Sequence, residues 1–116
     1  MVFSSKLVER YRILKVEGGS SILLMQVGSF MQVMGDDARV LAEAAGLKLK
    51  MAGEVDAPVV VGGFPVSGLD AYVGKLVRNG HSVAIAMQRG EPKERFIVET
   101  ISIAGLPSVL PTSGQA

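Results

Sequence analysis

Apolar positions recur along the chain with two different spacings, and the changes from one to the other outline its elements. Leu7, Tyr11 and Leu14 fall at i, i+4 and i+7 behind Ser4 and Ser5, with Lys6, Glu9, Arg10, Arg12 and Lys15 on the other faces. This predicts an amphipathic first helix. Gly18-Gly19-Ser20 stops it, and Ile22 to Val27 follows as a short buried strand. After Gly28-Ser29, Phe30 to Met34 is predicted extended. The segment "GDDARVLAEAAG" sets Asp36 and Asp37 in the first turn of a second helix, where carboxylates complement the helix dipole, and Gly46 at its C-terminal cap. Leu47, Leu49 and Met51 then alternate with Lys48 and Lys50, the pattern of a half-exposed strand.

Farther on, "AGEVDAP" reads as a loop and "VVV" as another short strand. The run Gly62-Gly63-Phe64-Pro65 is predicted to form a tight strand-to-helix turn. Ser67 with Asp70 resembles a capping box, and Leu69, Tyr72, Val73, Leu76 and Val77 share one face of a third helix ended by Asn79-Gly80. Ser82 to Met87 is predicted as a strand, "QRGEPKE" as a polar turn and Phe96 to Ile103 as the last strand. The order is α-β-β-α-β-β-α-β-β, a single α/β (α+β) domain with a small mixed sheet flanked by three helices. Residues 1–104 are assigned to this domain and residues 105–116 to a linker or flexible tail.

Composition narrows the function classes. The 116 residues suffice for one core, and 48% apolar against 20% charged residues excludes extensive disorder. With no cysteine there is no disulfide framework and no thiol nucleophile, which suits a cytoplasmic protein. The N-terminus lacks the apolar core of a signal peptide, and no apolar run is long enough to span a membrane. The net charge of +1 does not announce a nucleic-acid binder, so any DNA should be held weakly.

Catalysis finds little support. The sole histidine, His81, has no serine-acid partner or metal-ligand spacing, and Asp36, Asp37 and Glu43 read as helix-start and surface acids. No G-x-x-x-x-G-K-[ST] loop occurs. Met25, Met31 and Met34 are read as core filler, and Lys48, Lys50, Lys75, Arg78, Arg89, Lys93 and Arg95 as solvated surface. Composition and spacing alone stop at a soluble α/β domain and give catalysis little weight. They leave Phe30 open between a core residue and an aromatic presented outward.

A resemblance takes the reading further. The order of pieces in "ILLMQVGSFMQVMGDDARVLAEAAGLKLK" resembles the N-terminal mismatch-recognition domain (domain I) of the MutS family of DNA mismatch repair proteins. That family runs from an apolar strand into Gly-Asp-Phe-Tyr-Glu, then a helix with Asp-Ala, then a strand beginning near Leu. Gly28, Phe30, Asp37-Ala38 and "AGLKL" match in order. The likeness continues through "VVVGGFP", where Gly63 and Pro65 match a Met-Ala-Gly-[Ile/Val]-Pro turn. It then passes through "LDAYVGKLVRNGHSVAIAMQ" to "GEPKERFIVETISI", and covers about Tyr11 to Ile103.

The resemblance implies a DNA-binding module that recognises mismatched or distorted duplex DNA, with Phe30 as the wedge and Gln32 as the residue that meets the displaced base. Met31 joins them as a DNA-contacting residue, and Lys48 and Lys50 are assigned to phosphate contacts. The chain departs from the pattern in Ser29 for aspartate, Met31 for the aromatic and Gln32 for glutamate. A neutral amide donates and accepts but carries no charge, which favours general affinity over selectivity near phosphates. The implied partner is double-stranded DNA with a mispair or unpaired base, with further MutS-type domains in cis or a repair partner as additional contacts, and no membrane. No cofactor is expected in this chain; ATP and Mg would belong to a separate ATPase domain of a full-length family member. Two rivals remain: a protein-interaction or structural module that keeps the fold without the wedge, and a small-molecule site at a closed pocket spanning Gly62 to Ser67.

Overall fold

The structure, a computed structural model, describes residues 5–89 and 94–101. Its elements follow the predicted order: α1 (Ser5–Gly18), β1 (Ile22–Val27), β2 (Phe30–Met34), α2 (Asp36–Ala45), β3 (Lys50–Glu54), β4 (Ala57–Pro65), α3 (Leu69–Arg78), β5 (Val83–Arg89) and β6 (Glu94–Ile101). The strands form one mixed sheet in the order β3-β4-β2-β1-β5-β6. β1 and β5 pair parallel, and the other neighbours pair antiparallel. Among the described residues no helix is long and apolar enough to cross a membrane. Ala104 and the tail from residue 105, together with Lys93, lie outside the described residues.

Side-chain alternation gives the sheet two apolar faces, and the helices divide them. Tyr11 and Leu14 of α1 pack on Leu23, Met25, Met34, Val61, Ala84 and Ala86. On the other face, Ala38 and Leu41 of α2 and Leu76 of α3 pack on Leu24, Met31, Val33, Phe64 and Ile85. The predicted α1 stripe and the α3 face are therefore the helix surfaces that meet the sheet. Gly46 caps α2 in the left-handed conformation, at φ 71°.

Four local expectations are corrected. Gly62-Gly63-Phe64-Pro65 is no turn: it lies inside β4, where Gly62 pairs with Val33, Gly63 with Gln32 and Pro65 with Phe30. Much of "AGEVDAP" is likewise strand, turning only at Val55-Asp56 between β3 and β4. Ser67 does not cap α3, because Val66–Gly68 forms a 3-10 turn that leaves Gly68 at the cap without a side-chain hydrogen bond. That turn is tied down elsewhere: Val66 N–H donates to Ser29 O at 2.9 Å, and Tyr72 stacks on Phe64 with ring centroids 4.1 Å apart. Finally, β3 begins at Lys50, so Leu47 to Leu49 keeps its alternation without ladder hydrogen bonds.

Asp37 is more than a helix-start acid. Its buried carboxylate accepts from Leu23 N–H at 2.9 Å, and Lys15 Nζ lies 3.0 Å from each of its oxygens. The Tyr11 hydroxyl reaches Leu23 O at 2.5 Å and Asp37 Oδ2 at 3.2 Å. α1, β1 and α2 are thus joined through one carboxylate. Burial, reinforced by the Asp37 charge, pushes the Tyr11 phenol well above its ordinary value. The folded state therefore holds this proton more tightly than the unfolded chain. Its contribution is complete below about pH 10 and is lost as the pH rises further. Urea midpoints measured from pH 8 to 11 should accordingly fall above pH 10, and Tyr11→Phe should flatten part of that fall.

Candidate nucleic-acid interface

The segment that carries Phe30 is a two-residue hairpin turn between β1 and β2, closed by the Val27–Phe30 pair. Gly28 supplies the positive φ of 62° that such a turn needs. Two glutamine side chains clamp it. Gln26 Nε2 donates to Gly28 O at 3.0 Å, and Gln88 Oε1 accepts from Gly28 N–H at 2.9 Å. Gln88 N–H in turn donates to Gln26 Oε1 at 2.8 Å, and Arg95 Nε donates to Gln26 O at 2.6 Å. With Val66 holding Ser29 from the other side, the base of Phe30 is fixed by the 3-10 turn after β4 and by β5 and β6 together.

From that base Phe30 projects with 40% of its surface exposed. Alternation puts Gln32 on the same face of β2, and both line an open recess of about 440 Å³ with Lys48, Leu49, Lys50, Gly62 and Gly63. Among the described residues the lining carries two cations and no acid. Lys48 and Lys50 are exposed, whereas Gln32 is only 5% exposed. The recess opens to solvent and does not reach Ser67, so it lacks the enclosure that the small-molecule reading requires.

Met31 is corrected. It is fully buried with Val33 and Phe64 under α2 and α3, so its side chain is a core residue and does not face outward with Phe30. The structure brings Phe30, Gln32, Lys48 and Lys50 together from β2 and from the chain entering β3. Gln26, Gln88 and Arg95 are supporting residues that sequence reasoning missed. Their signal was visible: both "ILLMQ" and "AIAMQ" are apolar strands that run into a glutamine. His81 is half-buried beyond the end of α3, and among the described residues no group of three or more acids and histidines could hold a metal.

Fold and site together define a domain that presents one aromatic and two lysines from a braced sheet end, a geometry suited to binding. The chain belongs to the MutS domain I family, whose model matches residues 5–108. It is 40% identical over 93 residues to the DNA mismatch repair protein MutS of Parabacteroides distasonis, covering 79% of this chain and 11% of that protein. MutS of Porphyromonas gingivalis is 37% identical over 94 residues, covering 80% of this chain and 10% of the relative. MutS of Methanothrix thermoacetophila is 33% identical over 96 residues, 81% of this chain and 11% of the relative. The chain thus spans about a tenth of the length of the curated relatives it matches.

Proposed function

We propose that this domain acts in DNA mismatch repair by binding duplex DNA at a mispair, an unpaired base or another distorted step. Phe30 enters the base stack there, Lys48 and Lys50 hold phosphates, and Gln32 meets the displaced base. The observation that carries this reading is Phe30 itself, an aromatic 40% exposed on a clamped turn, beside two lysines. An inherited core residue would be buried, as Met31 is.

The physics favours discrimination by deformability. A mispaired step has weaker stacking and kinks more easily, so an inserted ring spends less energy there than in matched DNA. A rigid base for the ring matters because motion lost on binding subtracts from affinity. The domain performs no catalysis in this reading and needs no cofactor of its own; ATP and Mg belong to an ATPase domain elsewhere in a MutS-type protein. Its setting is the cytoplasm, on nucleoid DNA, with other MutS-type domains or a repair partner alongside.

Two lysines and one ring give weak, salt-sensitive binding. Neutralising two phosphates predicts a slope of log K against log salt near −1.8 for the described site. Fluorescence anisotropy on matched and mispaired duplexes across a salt series measures both terms. The reading expects tighter binding to the mispaired duplex at every salt concentration, with similar slopes for the two. Tight binding that ignores salt would count against it. The alternative, an interaction module without mispair recognition, draws on the exposed Val16 of α1 and Phe96 of β6. It predicts equal binding to both duplexes.

A further inference from the structure

The two glycines of the recess are each filled by a neighbour. Neither lies at positive φ and both are within β4, so close approach explains them better than backbone freedom. At Gly62, an added Cβ would stand 2.6 Å from Leu47 Cδ2 and 3.0 Å from Leu49 Cδ2. At Gly63, on the opposite face, it would stand 2.8 Å from Gln32 Oε1, 3.0 Å from Nε2 and 3.1 Å from Cδ. Gln32 and Gly63 are cross-strand partners, so the whole amide lies down on the β4 backbone opposite it. This is why Gln32 lines the recess while only 5% of it is exposed.

We propose that Gly63 is a specificity-determining positioning residue: its bare Cα is the seat of the Gln32 amide and sets how low that amide lies beneath Phe30. The inference rests on the reading of Phe30 as a wedge. A seated amide is below the reach of bases that remain stacked in a matched duplex. It comes within reach of a base that leaves the stack when the ring enters. Seat height then decides whether the amide meets that base, and an amide pushed off its seat loses the contact, so the preference for the mispaired duplex falls.

The geometry also makes the test clean. The atoms that must yield to a methyl group at Gly63 are the far end of a flexible side chain, so Gly63→Ala moves the amide while the strand stays in place. Wild type, Gly63→Ala, Gln32→Ala and the double variant are compared by anisotropy on matched and mispaired duplexes. Side-chain amide signals of Gln32 are followed by ¹⁵N NMR without DNA. Gly63→Ala is expected to shift those signals, keep matched-duplex affinity and lower mispair preference about threefold to tenfold, the range of a lost hydrogen bond. The double variant should be no worse than Gln32→Ala, because both changes remove the same contact. Unchanged preference in Gly63→Ala, or losses that multiply in the double variant, would overturn the role assigned to Gly63 while leaving the wedge intact. A wild type whose preference is absent, or survives Phe30→Ala, would overturn the wedge reading and this inference with it.

Discussion

Replacing Phe30 by alanine is expected to remove the preference for mispaired DNA while leaving weak binding to matched DNA in place. A stacked aromatic contributes about 1–3 kcal/mol by alanine substitution, on the order of tenfold or more in affinity. That amount should vanish only from the mispaired complex, because a matched step resists opening and takes little from the ring. The phosphate contacts proposed for Lys48 and Lys50 remain, so the salt slope should not change. Since Phe30 stands outside both core clusters, the variant should stay folded at a cost of about 1 kcal/mol. Anisotropy on the duplex pair gives the affinities, and a urea curve gives the stability. Equal losses on both duplexes would mean that Phe30 supports the surface without entering the stack.

The second large effect falls on stability, at Asp37. Alanine there leaves the buried Leu23 N–H without its acceptor and takes the counter-charge from Lys15. An orphaned buried donor costs about 1–3 kcal/mol, and breaking a buried ion pair costs about 3–5 kcal/mol. The Lys15 side chain is 33% exposed and can turn to water, so the expected total is nearer 3 kcal/mol. Asp37→Asn keeps an acceptor for Leu23 N–H and should lose less. Urea unfolding of wild type and both variants ranks them; equal stability of Asp37→Ala and wild type would remove Asp37 from the account of the fold.

How much of this was legible in the sequence depended on whether a signal was local. The Leu7, Tyr11, Leu14 stripe and the Gly46 cap are set by neighbours within a few residues, and both are realised. Gly62-Gly63 misled because paired glycines locally signal a turn, whereas here they make room for side chains from β2 and from the approach to β3. Asp37 already had a sufficient local explanation at a helix start, which hid its contacts with α1 and β1. Met31 reads as core filler from its spacing and as a DNA contact from the motif; the period of two along β2 puts it opposite Phe30 and Gln32, in the core, as the spacing has it. The glutamine clamp joins residues 60 or more positions apart, and no window along the chain contains it.

The central claim is that Phe30 enters the stack at a weakened step. Its most direct test places 2-aminopurine next to a single unpaired base and follows its fluorescence during titration with wild type and Phe30→Ala. The account predicts a rise in emission with wild type, as the probe loses its stacking neighbour, and little change with Phe30→Ala at matched saturation. A probe that stays quenched while wild type saturates the duplex would contradict it.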